Sequence, residues 1–146
     1  MSQFMKPIDI LLVEDNEGDV LLTTETLKEG KIAGKIAVVS DGWEAMQFLE
    51  KKGEYSKAFT PELVLLDINL PKFSGHEVLK NIRSIYHLKN LPVIILSTSS
   101  SEKDVSIANI NSATCYISKP VEINNFLEVI SSIKNFWNSV NPNITS

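Results

Sequence analysis

The stretch Leu63-Val64-Leu65-Leu66-Asp67-Ile68-Asn69-Leu70-Pro71 decides the fold of this chain. Its leading apolar run is typical of a strand that is buried on both faces of a parallel sheet. Pro71 has no backbone N–H to donate, so it stops further strand pairing. Asp67 is therefore predicted at the carboxyl end of a buried strand, which is the edge where open α/β sheets bind ligands. A carboxylate there either caps the next turn or carries chemistry.

Length and composition predict one soluble globular domain. The chain has 146 residues, of which 43% are hydrophobic, and this is enough for a substantial core. The net charge of −4 gives no basic surface for nucleic acid. No stretch approaches the roughly 20 apolar residues that span a bilayer, and no signal peptide is evident. Cys115 is the single cysteine and cannot form an internal disulfide, which suits a cytoplasmic protein.

Five strands alternating with five helices are predicted from the apolar pattern. The strands are residues 8–13, 35–39, 63–67, 93–96 and 114–117. Short strands that alternate with helices predict an α/β fold, with helices on both faces of a parallel sheet. The doubly wound order 2-1-3-4-5 fits this pattern best, and its crossovers should be right-handed.

Capping residues and apolar spacing predict the helices. The caps are Asn16 or Asp15, Asp41, Ser74 with Glu77 as a capping box, and Ser101 with Asp104. The first helix has apolar positions at helical spacing at Val20, Leu21, Leu22 and Leu27. The second helix is expected to turn Trp43, Ala45, Met46, Phe48 and Leu49 inward.

Side chains that could act together in one site follow several strands at the same predicted edge of the sheet. They are Glu14, Asp15, Asp67, Ser97 and Lys119. Three neighbouring carboxylates repel one another, and their pKa values rise unless a cation or a lysine compensates. Mg²⁺ prefers such oxygen ligands. Each residue alone has an ordinary explanation, as a helix-terminal charge, a cap or a surface lysine. Together they indicate one site, because chance would have to place a matched group at four strand ends.

The chain resembles the receiver domains of two-component response regulators over about residues 8–135. The residues that carry the resemblance are Glu14-Asp15, Asp67 with Leu70-Pro71 and Gly75, Ser97, Tyr116 and Lys119-Pro120. The resemblance implies the flavodoxin-like receiver fold. It also implies that residues 1–146 form a single receiver domain with a short C-terminal extension and no output domain.

The resemblance further implies a role for each site residue. Asp67 would accept a phosphoryl group from a phosphohistidine of a partner histidine kinase. Asp15 would bind Mg²⁺ directly, Glu14 would assist through water, and the backbone carbonyl of Asn69 would be a further ligand. Ser97 and Lys119 would each contact a phosphoryl oxygen, and the Lys119–Pro120 bond is expected to be cis. The protein would take part in its own phosphorylation and dephosphorylation without being an enzyme in the usual sense.

Signal output would follow from movement of Ser97 toward the phosphoryl group and of Tyr116 inward. The surface over residues 101–137 would change shape, contact a downstream protein or phosphotransfer protein, and in this family often forms dimers. Val105, Ile107, Ile110, Phe126 and Trp137 are candidates to be shared between core packing and partner contact. Tyr116 could equally be an ordinary half-buried strand residue.

Two residues depart from the usual receiver pattern, and several stretches resemble one subgroup of receivers. Thr98 stands where many receivers have Ala or Gly, and its bulk is expected to slow phosphoryl transfer or hydrolysis. Glu14 replaces the more frequent Asp of the acidic pair. The runs Val13–Asp19 and Leu66–Lys72, with the long 53–61 loop and Phe136-Trp137, resemble regulators that pair with bacterial phytochrome kinases.

Three other functions have features in common with this one. A phosphatase of the haloacid dehalogenase type needs a second acid two residues after the nucleophile, where this chain has Asn69. A flavoprotein needs a phosphate-cradling loop after the first strand, but Glu14-Asp15-Asn16-Glu17 would repel the flavin phosphate. A degenerate receiver that binds its partner without phosphorylation stays open.

Overall fold

A five-stranded parallel sheet forms the centre of the molecule. The computed structural model describes residues 7–70, 74–98 and 102–140, without the side chains of 102, 103 and 133–140. The sheet order is β2-β1-β3-β4-β5, which confirms the predicted doubly wound topology. The strands are β1 (Ile8–Val13), β2 (Ala33–Val39), β3 (Leu63–Asp67), β4 (Val93–Ser97) and β5 (Cys115–Ser118).

Five helices cover the two faces of the sheet. They are α1 (Glu17–Glu29), α2 (Gly42–Leu49), α3 (Gly75–Ser84), α4 (Glu102–Ile110) and α5 (Ile123–Val140). Two short 3₁₀ turns, Gly53–Tyr55 and Tyr86–Leu88, lie in the connections that follow α2 and α3. None of the helices in the described part of the chain combines the length and the apolar character needed to cross a membrane.

The sheet divides the core into two apolar clusters because successive strand residues point to opposite faces. Leu66 packs in one cluster with residues of α2 and α3, including Phe48 and Leu79. Leu65 packs in the other cluster, together with Phe126 of α5. All five residues of β3 are buried, as predicted for a central parallel strand.

Predicted caps begin three of the helices. The side chain of Asn16 accepts a hydrogen bond from the Asp19 N–H at 2.9 Å at the start of α1. Asp41 caps α2 in the same way, and Ser74 caps α3 within a reciprocal capping box that includes Glu77. The predicted Ser101 cap and the strand-stopping Pro71 lie outside the described residues.

The edge strands differ from prediction at their ends. Strand β2 begins at Ala33, which pairs with Ile8, two residues before the predicted start. Strand β5 begins at Cys115 rather than at Thr114. Thr114 nevertheless contacts β4: its hydroxyl accepts a hydrogen bond from the Val93 N–H at 2.9 Å, and its own N–H donates to the Val93 carbonyl at 2.8 Å.

Three apolar residues expected on helix core faces are exposed to solvent. Leu21 is 58% exposed and Leu22 is 57% exposed, because α1 instead buries the face that carries Thr23 and Leu27. Trp43 is 51% exposed, so its predicted inward orientation is wrong. It is the second residue of α2, and the buried residues of this helix are Gly42, Ala45, Met46, Phe48 and Leu49.

Candidate functional site

Strand register brings the predicted site residues to one edge of the sheet. Val13 pairs with Leu66, so the residues that follow them, Glu14 and Asp67, are neighbours. Strand β4 lies on the other side of β3, where Asp67 pairs with Leu96. Ser97 in turn pairs with Ser118, directly before Lys119. The carboxyl ends of β1, β3, β4 and β5 therefore surround one crevice.

Three carboxylates form an acidic cluster at this crevice. Glu14, Asp15 and Asp67 each offer an oxygen, and these oxygens all lie within 4.8 Å of one another. Glu14 is 1% exposed and Asp67 is 5% exposed, whereas Asp15 is open to solvent. Backbone N–H groups stabilise two of the side chains: Asn16 donates to Glu14 Oε2 at 3.2 Å, and Asn69 donates to Asp67 Oδ1 at 3.3 Å.

The ammonium group of Lys119 lies among the carboxylates. Its Nζ is 2.5 Å from Glu14 Oε1, 3.0 Å from Asp19 Oδ2 and 3.4 Å from Asp67 Oδ1. The lysine side chain is only 8% exposed, so these interactions are poorly screened by water. The predicted meeting of Lys119 with Glu14 and Asp67 is thus present in the structure.

Burial and mutual repulsion make this crevice electrostatically unusual. Burial, assisted by the neighbouring Asp67 carboxylate, raises the pKa of Glu14 to about 7, although the hydrogen bond from Lys119 acts to lower it. The pKa of Lys119 is raised, because its hydrogen bonds to Glu14 and Asp19 outweigh the opposing effect of burial. The site therefore carries excess negative charge, which favours an additional cation.

The donor atoms of the acidic cluster fit a hard divalent cation. They are all carboxylate oxygens, the ligand type preferred by Mg²⁺, Mn²⁺ and Ca²⁺. The exposure of Asp15 leaves the cluster accessible from solvent. The two positive charges of such a cation would balance the two carboxylates of this cluster that Lys119 alone does not neutralise.

The remaining predicted residues lie around the crevice. Ser97 is fully buried, and its carbonyl oxygen accepts a hydrogen bond from the Lys119 N–H at 2.7 Å. Thr98 follows it and is exposed, as is Asn69. The Lys119–Pro120 peptide bond is cis, as expected from the resemblance.

The predicted output surface is only partly available for contacts. Tyr116 is half-buried and packs against the cluster that contains Leu66. Ile110 is 79% exposed at the end of α4, whereas Val105 and Ile107 are half-buried. Phe126 is fully buried in the cluster that contains Leu65, so its predicted part in packing is present and its predicted part in partner contact is wrong. The Trp137 side chain lies outside the described residues.

Asp19 contacts the site although the sequence did not single it out. It is the third residue of α1, in the acidic first turn of that helix. Its place in the first turn of a helix that begins directly after Glu14-Asp15 was an available signal, since that turn lies close to the end of β1. Acidic residues in a first turn are common for a different reason, the helix dipole, and this masked the signal.

Most of the chain is similar to proteins of one known family. The family model for the response regulator receiver domain matches residues 10–131 of this chain. The chain belongs to the response regulator receiver family. It is 40% identical over 131 residues to "Response regulator Rcp1" of Synechocystis sp., and the match covers 90% of this chain and 89% of Rcp1. This membership decides against the phosphatase and flavoprotein alternatives.

Solved structures of other receivers agree with this assignment. One is the phosphorylated cyanobacterial phytochrome response regulator RcpA, which is 40% identical with a TM-score of 0.76, the match covering 92% of this chain and 96% of RcpA. Another is the Mn²⁺-bound form of Rcp1, also 40% identical, with a TM-score of 0.74 and coverage of 90% and 94%. This chain is therefore a signalling receiver homologous to phytochrome response regulators.

Proposed function

We propose that this receiver accepts a phosphoryl group on Asp67 from a partner histidine kinase and signals by changing its protein-interaction surface. The observation that carries the proposal is the position of Asp67. Its buried carboxylate lies in the acidic cluster with Glu14 and Asp15, and 3.4 Å from the ammonium group of Lys119. Phosphoryl transfer depends mainly on positioning and on neutralising phosphoryl oxygens, and this crevice offers groups for both.

The chemical step uses Asp67 as the nucleophile. One carboxylate oxygen attacks the phosphorus of the phosphohistidine, so a P–O bond forms while the P–N bond breaks. The leaving imidazole nitrogen keeps the electron pair of the broken bond and takes up a proton from water. Lys119 would pair with one phosphoryl oxygen and Ser97 with another. The hydrogen bond from Asn69 N–H to Asp67 Oδ1 supports the orientation of the attacking carboxylate.

Mg²⁺ is the cofactor that we assign to the acidic cluster. Asp15, Glu14, Asp67 and the backbone carbonyl of Asn69 would hold it. When bound, the cation supplies positive charge to the phosphoryl oxygens. The oxygen-only donor set supports this assignment, and Rcp1 has been solved with Mn²⁺ bound.

The proposed kinase is of the phytochrome type, in the cytoplasm. The support is the 40% identity to RcpA, which is described as a phytochrome response regulator. Cys115 is the lone cysteine, and this suits a reducing compartment. For output, we propose that Ser97 and Tyr116 move together and alter the 101–137 surface. A downstream protein or a second copy of this chain would bind there, and exposed Ile110 supports such contact.

Intact-mass measurement after incubation with acetyl phosphate and Mg²⁺ tests the phosphorylation. The wild-type chain is expected to gain one phosphoryl group, and the gain should vanish in Asp67→Asn and after chelation of the metal. Asp41→Asn is the matched control, because Asp41 is also a buried carboxylate but caps α2. It should be phosphorylated like the wild type.

A wild-type chain that stays folded and gains no mass would overturn the proposal. The protein would then be a degenerate receiver that binds its partner without phosphorylation. Thr98→Ala refines the test, since removal of the larger side chain is expected to speed phosphoryl transfer or hydrolysis. Equal rates of phosphoryl transfer and hydrolysis in Thr98→Ala and wild type would show that Thr98 does not slow either reaction.

A further inference from the structure

Asp19 makes a direct ionic contact inside the site. Neither the proposed phosphoryl transfer nor the proposed cation site gives this residue a role. Its Oδ2 lies 3.0 Å from Lys119 Nζ. The Asp19 side chain is 33% exposed, whereas that of Lys119 is 8% exposed. Asp19 therefore forms the solvent side of the lysine's surroundings, and Glu14 and Asp67 form the inner side.

The position of Asp19 is fixed by the backbone of α1. It is the third residue of the helix, and its N–H donates to the N-cap side chain of Asn16 at 2.9 Å. The Val20 N–H also donates to the carbonyl of Asn16, at 2.9 Å. The carboxylate thus extends from a capped helical turn and holds the ammonium group toward α1.

Lys119 has three ammonium hydrogens and three carboxylates around it. The contacts to Glu14 and Asp19 are within hydrogen-bond distance, but the Asp67 oxygen is 3.4 Å away. A phosphoryl group on Asp67 needs this same ammonium group. The phosphoryl group must therefore compete with Glu14 and Asp19, which already accept hydrogen bonds from the lysine.

We propose that Asp19 is a positioning residue for phosphoryl transfer, which holds the Lys119 ammonium toward α1 and so limits its availability to Asp67. This inference rests on the proposed phosphorylation of Asp67. Glu14 is shared with the proposed cation, so Asp19 is the acceptor that competes for Lys119 most directly while the cation is bound. Asp19 thereby sets the rate at which the receiver becomes phosphorylated.

Phosphorylation rates of Asp19→Asn test this role. With acetyl phosphate and saturating Mg²⁺, we expect a rise of about two- to fivefold, the range for release of a partly exposed ion pair. Glu17→Gln is the matched control, because it removes one exposed negative charge from the same helical turn. Its rate should equal that of the wild type.

A double mutant separates positioning from simple charge removal. If Asp19 acts through Lys119, then Asp19→Asn has no further effect in a Lys119→Gln background. An equal gain in that background would overturn the proposal, as would an equal gain in Glu17→Gln. An unchanged or slower rate in Asp19→Asn would also overturn it.

A metal-free measurement distinguishes failure of this inference from failure of the proposed function. The ¹⁵Nζ resonance of Lys119 should shift in Asp19→Asn and stay in place in Glu17→Gln. A shifted resonance in a chain that accepts no phosphoryl group would support the contact but refute Asp67 phosphorylation, and with it the rate-setting role. An unshifted resonance in a chain that is phosphorylated normally would refute the inference about Asp19 alone.

Discussion

Gly75 lies directly against the carbonyl group of Asp67. A Cβ added at Gly75 would overlap the carbonyl oxygen of Asp67 and come within 2.7 Å of Ile68 Cα. The Gly75 N–H also donates to the Ile68 carbonyl at 2.9 Å. The start of α3 is therefore packed on the backbone of the proposed phosphoacceptor, and only a residue without a side chain fits there.

Replacing Gly75 with Ala should disturb both stability and the site. The contacts are with backbone atoms, which cannot rotate away, so we expect a loss of about 1–3 kcal/mol in the free energy of unfolding. Urea titration measures this loss, and intact mass should report slower phosphorylation. Gly18→Ala is the control: its Cβ would approach a side-chain oxygen of Asn16 at 3.3 Å. Since Ala favours helices, Gly18→Ala should not be destabilising, and equal losses in both variants would contradict this account.

Glu14→Gln should change how stability depends on pH. The pKa of Glu14 is raised from 4.5 to about 7, mainly by burial, so between these values the folded chain binds a proton that the unfolded chain has lost. The associated stability is present below about pH 4.5 and is lost as the pH rises to about 7. The loss is at most about 3.5 kcal/mol, at about 1.4 kcal/mol per pKa unit.

Urea titrations without metal at pH 5 and pH 8 measure this effect. Relative to the wild type, Glu14→Gln should gain stability at pH 8 compared with pH 5. Glu25→Gln, an exposed substitution on α1, should show no such gain. The same pH dependence in Glu14→Gln and wild type would show that Glu14 does not titrate in this range.

Arg83 should be important for stability because it joins two connections, the one between α3 and β4 and the one between α4 and β5. Its Nε donates to the Ser112 carbonyl at 2.9 Å, and one terminal nitrogen donates to the carbonyls of Leu91 at 2.6 Å and Lys89 at 3.2 Å. Arg83→Met keeps the apolar stem and removes these donors. We expect a loss of about 2–3 kcal/mol in urea titration, the cost of losing charged hydrogen bonds. Lys80→Met, on the exposed side of the same helix, should change stability by less than about 0.5 kcal/mol.

Ile110→Ser tests the proposed contact surface. Ile110 is 79% exposed at the end of α4, so a polar replacement should weaken self-association without unfolding the chain. Sedimentation velocity of the phosphorylated protein should show a smaller dimer fraction than in the wild type. Tyr86→Ser is the control, since Tyr86 is 83% exposed but follows α3. A wild-type chain that stays monomeric when phosphorylated would refute the dimer.

Sheet topology and caps were predictable because they depend on short-range rules. The apolar run before Asp67 identified the central strand, and Ser74 with Glu77 marked the start of α3. Trp43 was misassigned because apolar character does not say which side of a helix faces the sheet. That choice depends on tertiary packing, which a single helix does not encode.

The site was predictable where strand ends determine position. Glu14 and Asp67 follow paired residues of adjacent strands, so their proximity follows from the topology. Asp19 could not be assigned in this way, because its contact depends on the reach of Lys119 from the opposite side of the crevice. The conformation of a long lysine side chain is set by its partners and not by the local sequence.

Lys119 directly follows β5, the four-residue edge strand, and its backbone N–H is bonded to the carbonyl of Ser97. A protein that binds β5 would therefore act on the ammonium group that we propose to pair with a phosphoryl oxygen. Binding free energies are reciprocal: a target that prefers the phosphorylated receiver by a given factor must stabilise the phosphorylated state by that same factor. The fraction of the receiver that is phosphorylated at equilibrium would then depend on how much target is present, so the target would help to set the level of the signal that it receives.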